Sequence, residues 1–170
     1  MLQIRPERTE DLPAIHSLNV RAFPSEAEAE AVDALRARGA YLLSLVADFD
    51  GIVVGHIFFT PVTIEKEDGT FFDVAGLAPM AVQPELQRRG IGSLLVRAGL
   101  EALRQMGFPA VIVLGHAEFY PRFGFLPASR WGIRYASNVP DEVFMALELQ
   151  PGALTGQSGV AHFQEEFQAL

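Results

Sequence analysis

Apolar residues in this chain follow two periods, and the switches between them mark the elements. Leu2 to Arg5 reads as a short strand that Pro6 ends. Leu12, Ile15, His16, Leu18 and Phe23 recur at roughly helical spacing. Thr9, Glu10 and Asp11 precede them and suit a helix start, where acidic groups are favoured. Pro24 breaks this run, and Ser25 caps a second helix, Glu26 to Arg38, that Gly39 stops. Tyr41 to Ala47, Ile52 to Ile64 and Phe71 to Val82 are extended apolar runs. The polar turns Asp48-Phe49-Asp50-Gly51 and Glu65 to Gly69 separate them, which predicts an antiparallel meander. Pro79 cannot donate to a ladder, so it predicts a bulge or an unpaired point on the third of these strands.

A glycine turn, Gln87-Arg88-Arg89-Gly90-Ile91-Gly92-Ser93, then opens a helix over Ile91 to Met106. Leu94, Leu95, Ala98, Leu100 and Leu103 are its apolar positions, and Gly107 is its stop. Ala110 to Leu114 is a short strand, and the helical crossover before it predicts a parallel pair. Phe119 to Phe125 is a compact aromatic segment, and Val143 to Leu149 is the last clear strand. Val160 to Phe167 reads either as an edge strand or as a tail packed on the body. One domain is expected: a body over 1–150, with a C-terminal extension over 151–170 packed on it or at a dimer contact.

Composition narrows the classes. A chain of 170 residues with 49% hydrophobic content can bury a core. The net charge of -8 argues against nucleic acid or an anionic membrane as a bulk partner. With no cysteine, thiolate metal sites and cysteine nucleophiles are excluded, and the scattered histidines predict no metal site. No leader-like start and no membrane-length apolar run is read, so a cytoplasmic protein is expected.

Against the acidic background, Arg88 and Arg89 stand out as a local basic pair at a glycine turn. Helix-start N–H groups lack intrahelical partners and carry partial positive charge, so a strand, a glycine turn and a helix make an anion site. The turn lacks the lysine followed by serine or threonine of a Walker loop, and the third glycine of a dinucleotide fingerprint. What remains is Gln-x-x-Gly-x-Gly after a long strand.

This resembles the acetyl-CoA-binding motif of the GNAT superfamily of N-acetyltransferases. Phe119-Tyr120-Pro121-Arg122-Phe123-Gly124-Phe125 resembles that family's Phe-Tyr-x-x-x-Gly-Phe element. Ile4-Arg5-Pro6 with Glu10-Asp11-Leu12 is similar to its usual start. Leu114-Gly115-His116 before the aromatic element resembles the YhbS-like subgroup. Many relatives carry an Asn in a longer loop here, where it contacts the cofactor; this chain has a short segment with His116 instead.

The resemblance implies an α/β fold with a mixed, mostly antiparallel, splayed sheet flanked by helices. It implies acetyl-CoA as co-substrate and no metal. Main-chain groups of Met80, Ala81 and Val82 would pair with the pantetheine arm. Gln87, Arg88, Arg89, Gly90, Ile91, Gly92 and Ser93 would hold the pyrophosphate. Tyr120 would be the general acid toward the departing thiolate. Candidates for the general base are Glu118, His116 and Asp73, with Glu118 preferred. The expected reaction is acetyl transfer to a primary amine, on a small molecule or a protein, by direct attack in a ternary complex. The alternative is a catalytically silent acyl-CoA-binding or sensing module. Phe163 and Phe167 in the tail permit a homodimer.

Overall fold

The structure, a computed structural model, describes residues 1–168. Ala169 and Leu170, the end of the 151–170 extension, lie outside the described residues. The chain forms two compact units. The first comprises 1–59, 78–99 and the described residues from Glu165 onward; the second comprises 60–77 and 100–164.

In the first unit, β1 (Leu2–Pro6) pairs antiparallel with β2 (Leu43–Phe49), which pairs antiparallel with the first half of β3 (Ile52–Glu65). Asp50 and Gly51 form the tight hairpin turn with φ of 51° and 90°, the positive values a two-residue hairpin favours. The last residues of β4 (Phe71–Val82) lie next to β3. Helices α1 (Leu12–Ala22) and α2 (Ala27–Ala37) cover this unit together with the first part of α3 (Ile91–Gln105). Arg38 makes two hydrogen bonds of 2.8 Å to Glu166 and ties α4 (Glu165–Gln168) to the end of α2.

Thr9–Asp11 forms a separate 3-10 turn rather than the first turn of α1. The reason lies 6 residues back: buried Arg5 donates to Asp11 at 2.8 and 3.1 Å, and Asp11 also accepts the Arg8 N–H at 2.7 Å. Asp11 is spent on an ion pair and a turn.

In the second unit, β4 pairs parallel with β5 (Ala110–Leu114), β5 antiparallel with β8 (Phe144–Glu148), and β8 with the short β6 (Leu126–Pro127). The parallel ladder ends at Leu77–Val113, so Pro79 and Met80 lie beyond it. The segment read as a tail contains β9 (Gly159–His162), which is no edge: it pairs with both β3 and β7 (Ile133–Tyr135). The fold is thus a mixed, mostly antiparallel sheet flanked by helices.

Candidate functional site

The glycine turn belongs to the first unit. β4 ends at Val82, a 3-10 turn spans Pro84–Leu86, and α3 starts at Ile91. Two hydrogen bonds fix the strand end. The Gln83 N–H donates to the Val54 carbonyl at 2.8 Å, and the Gln87 side-chain amide donates to the Val82 carbonyl at 3.2 Å. The Gln87 amide therefore braces the end of β4.

The first intrahelical bond of α3 runs from the Leu94 N–H to the Gly90 carbonyl at 3.1 Å. By helix geometry, the N–H groups of Gly90, Ile91, Gly92 and Ser93 have no acceptor within the helix. Arg88 has φ 64° and Gly90 has φ 88°, while Arg89 between them has no positive φ. Left-handed residues in a turn can point successive N–H groups to one side, the backbone pattern of an anion-binding concavity. Gly90 is needed for its backbone angle: a Cβ there would meet nothing within 4 Å and would stand in the open space of the turn. Arg88 and Arg89 are exposed. Met80 is half-buried, and Ala81 and Val82 are buried. Ile91, Leu95, Val96, Leu100 and Leu103 form the buried face of α3, whereas Leu94 is 47% exposed and is not part of the core.

The aromatic element belongs to the second unit. Tyr120 opens a 3-10 turn, Tyr120–Phe123, that Gly124 ends with φ 98°. The His116 carbonyl accepts the N–H groups of Phe119 at 3.1 Å and Tyr120 at 3.3 Å. Phe119 and Phe125 meet the Tyr120 ring edge-on, with centroids 5.1 and 5.6 Å away. Gly115 closes the cage, since a Cβ there would stand 2.9 Å from Tyr120 Cε2. Only 5% of Tyr120 is exposed, and burial pushes its phenol above the ordinary tyrosine range, so it stays protonated at neutral pH. Glu118, His116 and Asp73 are exposed. Ile133, Arg134, Tyr135, Asn138, Asp141 and Phe144 line part of a surface pocket of about 350 Å³ in the same unit. Among the described residues, no group of three or more His, Asp or Glu is arranged for a metal ion. No described helix is long and apolar enough to cross a membrane.

Sequence reasoning missed a buried polar chain in the first unit. Asn19 Nδ2 donates to the Ile15 carbonyl at 3.1 Å and to His56 Nδ1 at 3.3 Å. The protonated Nε2 of His56 then donates to Ser44 Oγ at 2.9 Å, and Ser44 donates to Glu7. Arg36 closes the chain with two hydrogen bonds of 2.8 Å to Glu7. Burial lowers the His56 pKa to about 3, against the opposing pull of Glu7, so the ring is neutral.

The family model for the acetyltransferase (GNAT) family matches residues 12–125. The chain belongs to the GNAT family. Enzymes of this family transfer acetyl groups from acetyl-CoA to amine acceptors. The chain is 37% identical over 165 residues to an uncharacterised N-acetyltransferase, YhbS, of Escherichia coli K12, covering 96% of this chain and 97% of that one. It is 42% identical over 157 residues to a second uncharacterised N-acetyltransferase of that strain, YjhQ, covering 86% and 84%. Its fold matches the crystal structure of Escherichia coli YhbS in complex with CoA, with TM-score 0.92 and 36% identity over 98% of this chain and 92% of that one. A GNAT acetyltransferase from Brucella melitensis in complex with acetyl-CoA matches with TM-score 0.81 and 35% identity, covering 98% of both chains.

Proposed function

We propose that this chain is an N-acetyltransferase that moves the acetyl group of acetyl-CoA to a primary amine by direct attack in a ternary complex. One observation carries the reading: the open first turn of α3, where the N–H groups of Gly90, Ile91, Gly92 and Ser93 have no acceptor within the helix and Arg88 and Gly90 are left-handed. That turn fits a pyrophosphate, because it offers donors and helix-dipole charge without a Cβ in the way. When bound, acetyl-CoA supplies an acetyl group activated as a thioester and a thiol as leaving group.

The residues divide the remaining work. The N–H groups of Gly90, Ile91, Gly92 and Ser93 hold the pyrophosphate, with Arg88 and Arg89 adding charge. Gln87 keeps the end of β4 in place through the Val82 carbonyl. Main-chain groups of Met80, Ala81 and Val82 face the pantetheine arm. Their position beyond the last pair of the β4–β5 ladder supports this assignment. Tyr120 holds its proton toward the leaving sulfur. A phenol above its ordinary value of ~10 facing a thiol of ~8.5 loses its proton only at a cost above about 2 kcal/mol. Tyr120 therefore acts first as a hydrogen-bond donor and gives up its proton only as the sulfur's charge develops. Glu118, exposed two residues before Tyr120, takes a proton from the acceptor ammonium, so that the neutral amine attacks. With no cysteine in the chain, a cysteine acetyl-enzyme is excluded.

The test is a calorimetric titration with CoA, acetyl-CoA, ATP and NAD, followed by an amine panel read by thiol release. The reading expects binding of both CoA compounds, and acetyl-CoA-dependent thiol release with at least one amine. Tight CoA binding with no release on any amine supports a catalytically silent binding module instead. Binding of ATP or NAD in preference to CoA overturns the cofactor assignment.

A further inference from the structure

The start of α3 rests on β3 at a residue without a side chain. A Cβ built on Gly55 would stand 3.0 Å from Leu95 Cδ1, 3.2 Å from Ile91 Cγ2 and 3.2 Å from Ala47 Cβ. A second close approach lies further along the helix. A Cβ on Gly99 of α3 would stand 2.5 Å from Phe59 Cε2 and Cζ. All these residues lie in the first unit.

None of the three neighbours of Gly55 yields cheaply. Ala47 is the register partner of Gly55 in the β2–β3 ladder, so its methyl is fixed by the strand pairing. Leu95 is fully buried, and its methyl has no solvent to move into. Ile91 Cγ2 hangs from a branched Cβ, whose rotation within a helix is restricted. A push on that methyl therefore passes to the backbone of Ile91, the first residue of α3 and the carrier of one of the N–H groups without an acceptor in the helix.

We propose that Gly55 is a positioning residue for the anion turn. Its missing side chain lets the first turn of α3 seat against β3, and that seat aims the N–H groups of Gly90, Ile91, Gly92 and Ser93. This rests on the reading of the turn as a pyrophosphate cradle. Gly99 supplies the internal control: its close approach is tighter, but it lies eight residues beyond Ile91, the first residue of α3.

The experiment measures CoA affinity by calorimetry and melting temperature on the full chain. Its variants are Gly55→Ala, Gly99→Ala, Ala47→Gly, and Gly55→Ala combined with Ala47→Gly, which moves one methyl to the neighbouring strand. Gly55→Ala is expected to weaken CoA about tenfold, well below its melting temperature. Gly99→Ala is expected to lose at least as much thermal stability yet weaken CoA by less than about threefold. The methyl swap is expected to recover part of the affinity lost in Gly55→Ala. Unchanged CoA affinity in Gly55→Ala overturns the proposal. So do losses in both glycine variants that simply track melting temperature. Where Gly55→Ala does not fold, the methyl swap is compared with Ala47→Gly alone: weaker CoA binding in the swap supports the proposal, and equal binding overturns it. Native protein that binds no CoA overturns the cradle reading itself, a result distinct from every variant outcome.

Discussion

The turn at 87–93 and the aromatic element at 115–125 are built in opposite ways. The turn is main chain: its donors are N–H groups, its arginines are exposed, and its glycine serves a backbone angle. The aromatic element is side chain: a buried phenol is held edge-on by two phenylalanines, and a glycine serves by leaving room. Function in the turn should survive most side-chain changes and fail when the backbone is forced. Function in the aromatic element should fail when a single side-chain hydroxyl is removed.

The largest effect tests the side-chain half. Tyr120→Phe removes one hydroxyl and keeps the ring that Phe119, Phe125 and Gly115 enclose. We expect kcat to fall by about 10²–10³ with CoA affinity unchanged, the range for loss of a positioned proton donor. Steady-state kinetics on the best amine, with CoA titration beside it, measures both. An unchanged kcat removes Tyr120 from the chemistry and leaves it as packing.

Titration separates the regions next. His56 binds no proton when folded until about pH 3, but its unfolded form binds one near 6.5. Its folded pKa is the lower one, so stability is complete above pH 6.5 and falls as the pH drops. The slope approaches about 1.4 kcal/mol per pH unit, or some 2–3 kcal/mol by pH 4.5. Glu7 adds to the loss only below its ordinary carboxylate range. Burial works to raise its pKa, but hydrogen bonds from Arg36 and Ser44 outweigh this and lower it. Tyr120 runs the other way: its folded pKa is raised, so its stability is complete below pH 10 and lost as pH rises further. Denaturant melts across pH should show the acid slope disappear in His56→Gln and the alkaline slope shrink in Tyr120→Phe. A slope between pH 6.5 and 4.5 that persists in His56→Gln assigns the acid response to another group.

This contrast also explains what was legible in the sequence. The turn was readable because its determinants are neighbours in the chain: glycines, arginines and the start of a helical period. Tyr120 was readable from a motif, but the need for a glycine at 115 appears only when the ring lies 2.9 Å from its absent Cβ. Gly55 carries no local signal, because Ile91 and Leu95 reach it from more than 30 residues away. Helical spacing places Leu94 among the apolar positions of α3, yet spacing cannot say which way a first turn faces, and the residue is 47% exposed. Ile133–Tyr135 is too short to show a strand period. Its strand character comes from pairing with Gly159–Ala161. Asp11 read as a helix-start acid because its buried partner, Arg5, belongs to another element.

Backbone strain gives the next effect down. Gly90→Ala places a Cβ on a residue at φ 88°, which costs roughly 1–2 kcal/mol in the left-handed region. CoA affinity should fall about tenfold, with kcat at saturating acetyl-CoA nearly unchanged. Gly115→Ala should show the reverse split: CoA binding kept, and kcat reduced by less than in Tyr120→Phe, because the ring is displaced rather than stripped of its hydroxyl. If both glycine variants lose affinity and rate together, the division into a main-chain half and a side-chain half is wrong.

The smallest effect belongs to the arginines, and its salt dependence is what makes it informative. Arg88 and Arg89 are exposed, and exposed charges contribute on the order of 0.5–1 kcal/mol to an interaction before screening. Each alanine variant should therefore raise the KM for acetyl-CoA by only about two- to fivefold at low salt. The difference from the native enzyme should shrink at 0.5 M salt, where the screening length is well below its value of ~10 Å at 0.1 M. The N–H contacts of the turn are shorter in range and are screened less, so the penalty of Gly90→Ala should persist at the same salt. An arginine penalty that salt does not reduce would mean the guanidinium makes a desolvated contact with the phosphates. The turn would then hold its ligand through side chains as well as main chain, and the contrast with the aromatic element would narrow to the backbone angle at Gly90.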